Sequence, residues 1–336
     1  MKQIQKIQGH TMKPFSAIRH LYLGFALTIL VLIPQIASAQ LNGENLKGDL
    51  GLASGSQAPP GAYAGFLYYR YNTDRINTKT GAKFNPSGST TIAAGAPFFN
   101  MVTKKKFLGA NYGFFVAVPI LNTALETPRL DSKPTAHVGD IYVQPVNLGW
   151  HLKKADVTAA YGFYAPTGRY TAGANNNTGY GMWSHELSLG TTVYLDKKKA
   201  WNAATTGALE FHTTKKNSNG AKVGTLFTLE GGLGRKFMDG GLNVGMVYYA
   251  QWKITDDRFG SLLPSVLVTG RHRVAAIGPE ATLALASKKK GKLYGFLTAR
   301  YYHEAYARTT TKGNSFLIQL VFPLKPISLG PPPPGK

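Results

Sequence analysis

Short and long connections alternate along this chain, and few folds accommodate that rhythm. Strand-like stretches follow one another at residues 62–72, 97–108, 112–121, 139–152, 157–166, 184–195, 201–213, 224–237, 242–255, 272–286, 293–307 and 314–324, and the gaps between them are by turns tight and wide. Each stretch is long enough to cross a bilayer at a tilt. Membrane barrels of bacteria pair an even strand number with short turns on one side and longer loops on the other. The expected fold is all-β, an antiparallel up-and-down transmembrane β-barrel of about 12 strands.

The residues ahead of the strands show how such a chain would reach its membrane. Lys2, Lys6, Lys13 and Arg19 make a basic, acid-free start, Leu21 to Ile33 form an apolar run, and Pro34 ends it. Ala37-Ser38-Ala39 before Gln40 fits a small-residue cleavage site, so residues 1–39 read as a removed signal peptide, with an uncleaved anchor helix as the alternative. The chain has no Cys, which excludes a lipid anchor on the new N-terminus and suits an exported protein. Residues 40–61, rich in Gly, Ser and Pro, are expected to be a loose, flexible segment, 62–324 the barrel, and 325–336 an extended periplasmic tail carrying Pro331 to Pro334.

A formal charge of +22 raises the question of nucleic acid, and export argues against it. The Lys-rich runs Lys153-Lys154, Lys197-Lys198-Lys199 and Lys288-Lys289-Lys290 fall in short turns. There they read as a solvated rim that also meets anionic lipid headgroups, or else as a docking patch for a partner.

Alternation within strands separates an outer from an inner face. Leu242, Val244, Met246, Tyr248, Ala250, Trp252 and Ile254 share one parity, and Asn243, Gly245, Val247, Tyr249, Gln251 and Lys253 the other. In the last strand Phe316, Ile318, Leu320 and Phe322 alternate with Leu317, Gln319 and Val321. An ionised side chain facing lipid near the bilayer midplane costs about 2–4 kcal/mol, so mid-strand charges should point inward. That selects Glu186, Glu210, Glu230, Glu280, Lys253 and Arg300, joined on the same parities by Gln251, Gln319, His212, Tyr249 and Tyr302. These groups either form an internal salt-bridge and hydrogen-bond network that holds the barrel shut or line a path for a solute. Trp150 and Trp201 lie at turn-side strand ends and Trp183 and Trp252 towards loop-side ends, where aromatic girdles belong. Pro119, Pro145 and Pro279 inside strands predict bulges or shortened pairings.

Catalysis finds little support. Ser184-His185-Glu186 and His303-Glu304 are suggestive, but neighbours in a strand face opposite ways, so Ser184 and His185 cannot pair by adjacency. The eight His have no paired ligand spacing, and Asp256-Asp257 lacks the spaced oxygens of a calcium loop, so no metal or cofactor is expected. Gly231-Gly232-Leu233-Gly234 sits in a strand with no following helix, which removes a dinucleotide reading.

Several short motifs occur in a telling order. Gly139-Asp140-Ile141, Gln144-Pro145 and Leu148-Gly149-Trp150 come first, then Ala165-Pro166-Thr167-Gly168-Arg169-Tyr170 and Gly179-Tyr180-Gly181-Met182-Trp183. Tyr194-Leu195-Asp196, Gln251 with Thr255-Asp256-Asp257 and Gly260, and Gly278-Pro279-Glu280 follow. Over residues 110–324 the chain resembles the family named for the meta-pathway of phenol degradation, a group of outer-membrane transporters. The resemblance implies a barrel in the outer membrane of a Gram-negative bacterium, in contact with its lipid, that passes small, often aromatic or poorly soluble molecules. The leading expectation is passive uptake of such a solute. A closed barrel serving as an envelope scaffold or surface-contact protein is the alternative, and a lipid-modifying enzyme the third reading. The many turn lysines and the Pro-rich tail depart from the family pattern, and the resemblance supplies no catalytic residues.

Overall fold

The structure, a computed structural model, describes residues 41–84, 88–127, 130–132, 135–172, 174, 176–262, 270–287 and 291–328. The leader, Lys288 to Lys290, Gly173, Asn175 and the Pro331–Pro334 run lie outside the described residues. Among the described residues sixteen strands form one sheet: β1 (Gly61–Thr73), β2 (Ser89–Phe107), β3 (Ala110–Ala117), β4 (Ile120–Thr127), β5 (Leu130–Ser132), β6 (His137–Val138), β7 (Ile141–His151), β8 (Ala155–Ala165), β9 (Ser184–Tyr194), β10 (Trp201–His212), β11 (Leu226–Phe237), β12 (Leu242–Lys253), β13 (Arg273–Ser287), β14 (Lys292–Arg308), β15 (Asn314–Pro323) and β16 (Ile327–Ser328).

Twelve of these close a barrel. Antiparallel pairing runs β1-β15-β14-β13-β12-β11-β10-β9-β8-β7-β3-β2, and β2 returns to β1 with Ala62 opposite Met101 and Thr73 opposite Thr90. Closure pairs both edges of every barrel strand, which removes the open edge that an isolated sheet would expose. The remaining strands elaborate the ends. β4 extends the outer part of β2 and carries the short β5 and β6, while β16 pairs with the start of β14.

Sequence parity decides which side chains turn inward. Along β12, Val247, Tyr249, Gln251 and Lys253 are buried, whereas Val244 and Met246 are exposed on the outer surface. Along β10 the inward series is Asn202, Ala204, Thr206, Ala208, Glu210 and His212. Prolines interrupt this regularity, because they lack the ladder donor. Pro145 sits where the β7–β8 register shifts between Val143 and Val146, and Pro119 separates β3 from β4. Pro279 differs: two pairs drop out of the β13–β14 ladder between Ile277–His303 and Glu280–Arg300, but the register and the alternation of burial continue unchanged.

Two readings of the chain need correction. The stretch before residue 97 and most of the gap after 121 are strand, as β2 starts at Ser89 and β4 to β6 fill the long connection. In β2 the added stretch Ser89 to Ala96 is made of small and polar residues apart from Ile92, and its exposure does not alternate, which hides the strand from a period-two reading. Residues 41–60 also do not hang loose. They run lengthwise through the lumen from Leu41, buried among Met182, Ala221, Val223 and Leu262 of the outer loops, to Pro59, whose carbonyl accepts from Tyr63 at the start of β1. The Gly and Ser content that suggests flexibility instead allows a backbone to lie flat against a barrel wall.

Candidate functional site

The inner wall from β9 to β14 grips this plug by its backbone. Glu210 accepts the amide protons of Glu44 at 2.6 Å and Asn45 at 3.4 Å, Glu230 that of Leu50 at 3.2 Å, and Glu280 that of Leu52 at 3.0 Å. Glu186 takes the Asn45 side-chain amide at 2.7 Å. Arg300 donates to Glu280 at 2.6 Å and holds the carbonyls of Asp49 and Leu50. Wall carboxylates thus take the place of the neighbouring strand that an extended segment would otherwise need, so the plug's polar backbone stays satisfied away from bulk water.

Close approach fixes the plug sequence at a few points. A short 3-10 turn at Gly51–Ala53 presses on β10 to β12 and buries Leu52 against Val247 and Tyr249. Gly51 has φ +60, and a Cβ there would stand 1.9 Å from Glu280 Oε2 and 2.3 Å from Arg300 Nε. A Cβ on Gly55 would stand 2.0 Å from the backbone carbon of Thr191. Only glycine fits either position without displacing the wall.

The other sequence-selected residues fall around this grip. Tyr249 and Tyr302 are buried with rings 5.0 Å apart, and their hydroxyls donate to Glu304 Oε1 at 2.8 Å and the Gly48 carbonyl at 3.1 Å. Lys253 donates to Asp257 at 2.7 Å and to the Leu41 carbonyl at 2.9 Å. Gln251 donates to Thr228 at 3.0 Å and meets His272 at 3.1 Å. Gln319 is half-buried, facing inward opposite Leu67 and Thr298. Trp150, Trp183, Trp201 and Trp252, the residues expected in aromatic girdles, lie on outward-facing positions; Trp252 stacks on Phe227 and Trp150 donates to the Leu108 carbonyl at 3.0 Å.

Parity reasoning left two features unassigned. Glu304 is fully buried and takes protons from Tyr71, Tyr249 and the Gly313 amide, and its shared parity with Arg300 and Tyr302 would have found it. The second is aromatic. Phe98, Phe115, Tyr142 and Tyr164, from β2, β3, β7 and β8, follow one another with ring centroids 5.4, 6.0 and 4.5 Å apart. All four are only half-buried. Tyr142 donates to Glu186 at 3.2 Å, which places the row beside the plug, and Gln144 donates to the Tyr142 hydroxyl at 3.2 Å.

Serine and histidine do meet, in an arrangement unsuited to acyl transfer. Ser184 is buried, and its hydroxyl donates to Glu44 at 2.8 Å while facing His212 Nδ1 at 3.0 Å. The same Nδ1 lies 3.8 Å from Glu210. A relay needs hydroxyl and acid on opposite ring nitrogens and a serine proton directed at the imidazole. His185 faces outward between the rings of Tyr161 and Phe211.

The ordered motifs converge on the outer mouth. Asp140 accepts the amide protons of Gly168 at 2.8 Å and Tyr180 at 2.6 Å, and Thr167 donates to the Gly139 carbonyl at 3.0 Å. Asp257 accepts from Gly224 at 2.8 Å, and Thr255 from the Thr225 amide at 2.7 Å. These bonds clasp the loops over Leu41. Lys215 completes the cap, donating to the Tyr180 carbonyl at 2.8 Å with its ammonium 5.4 and 5.2 Å from the Tyr170 and Tyr180 ring centres. Burial lowers its pKa to about 8 against the opposing pull of Glu44, Asp140 and Asp257.

Known proteins place this architecture. An outer membrane channel from Pseudomonas putida F1 superposes with a TM-score of 0.68 at 16% identity, over 83% of this chain and 99% of that one. The β domain of the Bordetella autotransporter BrkA gives 0.44 at 13% identity over 79% and 100%, and a Pseudomonas aeruginosa FadL homologue 0.43 at 9% over 86% and 97%. No curated protein sequence matches the chain. The family described as "Putative MetA-pathway of phenol degradation" matches residues 73–320, three-quarters of the sequence and all but the first and last barrel strands in full. The chain belongs to that family, as an integral β-barrel of the bacterial outer membrane.

Proposed function

We propose that the protein is a channel for passive uptake of small aromatic or otherwise poorly soluble molecules, with residues 41–60 as a plug that shifts to let solute by. The half-buried row Phe98, Phe115, Tyr142 and Tyr164 carries this reading. It sets ring faces next to the plug and near a few hydrogen-bonding groups, Gln144 and Glu186 among them, a combination suited to a planar solute with one polar substituent. Many of the plug's bonds run through its backbone, amides of Glu44, Asn45, Leu50 and Leu52 to wall carboxylates and carbonyls such as those of Gly48, Leu52 and Ser54 to wall donors, and water or a solute can replace them one at a time. No step of this passage needs an energy source or covalent chemistry.

Uptake of a phenol-class tracer into proteoliposomes tests the proposal. Entry should exceed that of empty vesicles and rise further when Gly51→Val unseats the plug. Rates equal to empty vesicles for both proteins would remove it. One observation favours the second reading, a permanently closed scaffold: the Glu280–Arg300 pair and the plug together fill the β9–β14 side of the lumen. That reading predicts no solute entry even with the plug displaced.

A further inference from the structure

The short-turn rim repeats one composition at every turn the structure describes. The β2–β3 turn carries Phe107 and Leu108 beside Lys104 to Lys106, and the β7–β8 turn Leu152 beside Lys153 and Lys154. The β9–β10 turn carries Leu195 beside Lys197 to Lys199, and the β11–β12 turn Phe237 and Met238 beside Arg235 and Lys236. The apolar tips stand well out: Leu108 is 76% exposed, Met238 70%, Leu195 59% and Leu152 53%. Leu108 and Met238 hold these positions at φ 50 and 53, a left-handed backbone that bulky residues seldom adopt. A single exposed leucine would mean little, but the same apolar tip beside basic side chains at four successive described turns is a repeated feature of one rim.

We infer that this rim binds the anionic headgroups of the periplasmic leaflet, phosphatidylglycerol being the representative lipid, with the tips set at the acyl boundary and the lysines at the phosphates. Short turns mark the periplasmic end of such a barrel. The level is set by Trp150 and Trp201, which sit at strand ends beside these turns; Trp201 lies under the Arg235 guanidinium, 5.3 Å from its ring centre. Apolar insertion combined with basic side chains is how surface segments select anionic over zwitterionic lipid. Acid on this rim is sparse, and Asp196 is engaged with the Lys198 and Trp201 amides at 3.1 and 2.7 Å.

Tryptophan quenching by brominated lipid tests the inference on the full chain carrying Trp183→Phe and Trp252→Phe, so that only rim indoles report. Brominated phosphatidylglycerol should associate at least about threefold more strongly than brominated phosphatidylcholine. The preference should fall to about half or less when Lys153, Lys154, Lys197, Lys198 and Lys199 are all changed to Gln, since Lys104 to Lys106, Arg235 and Lys236 remain, and shrink further in high salt. Native mass spectrometry of the unaltered protein, which should retain phosphatidylglycerol selectively, gives the same answer without any substitution. Equal quenching and equal retention of both lipids would overturn the inference. So would a preference untouched by the Lys→Gln changes, or an acidic periplasmic protein crosslinked to the rim lysines in place of lipid.

Discussion

The two sides of the lumen do opposite work with the same strand geometry. From β9 to β14 the inward positions carry Glu186, Glu210, Glu230, Glu280, Arg300 and Glu304, and almost every one is bonded to the plug. From β1 to β8 many inward positions carry rings and aliphatic groups: Leu67, Tyr69 and Tyr71 pack with Leu317, and the Phe98–Tyr164 row continues around the wall, while the polar contacts of this side gather at the end of the plug, where Asn111 and Asn147 accept from Gln57 and Asp156 from Ser56. The carboxylate wall fastens residues 44–52, while the ring-lined stretch meets the plug through Leu46 and keeps accessible surface. Any movement of the plug should therefore open the aromatic side first.

The heaviest blow to this division is removal of its buried charge. Arg300→Met leaves Glu280 unpaired in the interior and frees the Asp49 and Leu50 carbonyls, at an expected cost of about 3–5 kcal/mol in urea unfolding from vesicles. A cost below about 1 kcal/mol would show that the polar wall does not anchor the plug.

Gly51→Val comes next. It drives a side chain into Glu280 and Arg300 but alters no wall residue. Conductance in planar bilayers should rise roughly tenfold, the change expected for each ~1.4 kcal/mol of plug destabilisation, with strand content retained by circular dichroism. On the aromatic side, Phe115→Ala with Tyr142→Ala should slow tracer entry roughly threefold to tenfold, the effect of losing about 0.5–1.5 kcal/mol of ring contact. Equal slowing of a non-aromatic solute of the same size would contradict a ring-specific role.

The smallest effect belongs to the cap. Lys215, with a folded pKa of about 8 against 10.5 when free, binds fewer protons folded than unfolded between those values. Cap stability should therefore rise as pH climbs from about 8 to 10.5 and stay flat just below, measurable as larger amide protection factors in residues 213–225 once the base-catalysed intrinsic rate is divided out. Lys215→Met should abolish the slope.

Much of this could be read from residues alone, and the reasons for success and failure differ by region. Period-two alternation exposes β12 and β15 because one face meets lipid, and the charge penalty of that lipid sends Glu230 and Arg300 inward. The plug escapes such reasoning: Gly48, Gly51 and Gly55 look like linker residues, and their role depends on Tyr302, Arg300 and Thr191, which are far away in sequence. The Phe98–Tyr164 row is hidden for a related reason. Aromatic residues appear on both faces of these strands, and the shift beside Pro145 reverses parity midway along β7.

The seated plug is the central claim, and a thiol crosslink tests it most directly in a chain that has no Cys of its own. Asn45→Cys and Glu186→Cys put two thiols at the bases of side chains whose ends meet at 2.7 Å, a gap wider than a direct disulfide spans and suited to a short bis-methanethiosulfonate linker. When linked, the pair should hold phenol-class tracer uptake at the level of empty vesicles, and reduction should restore it. Failure of the linker to join the pair, or equal uptake in the linked and reduced protein, would contradict the account.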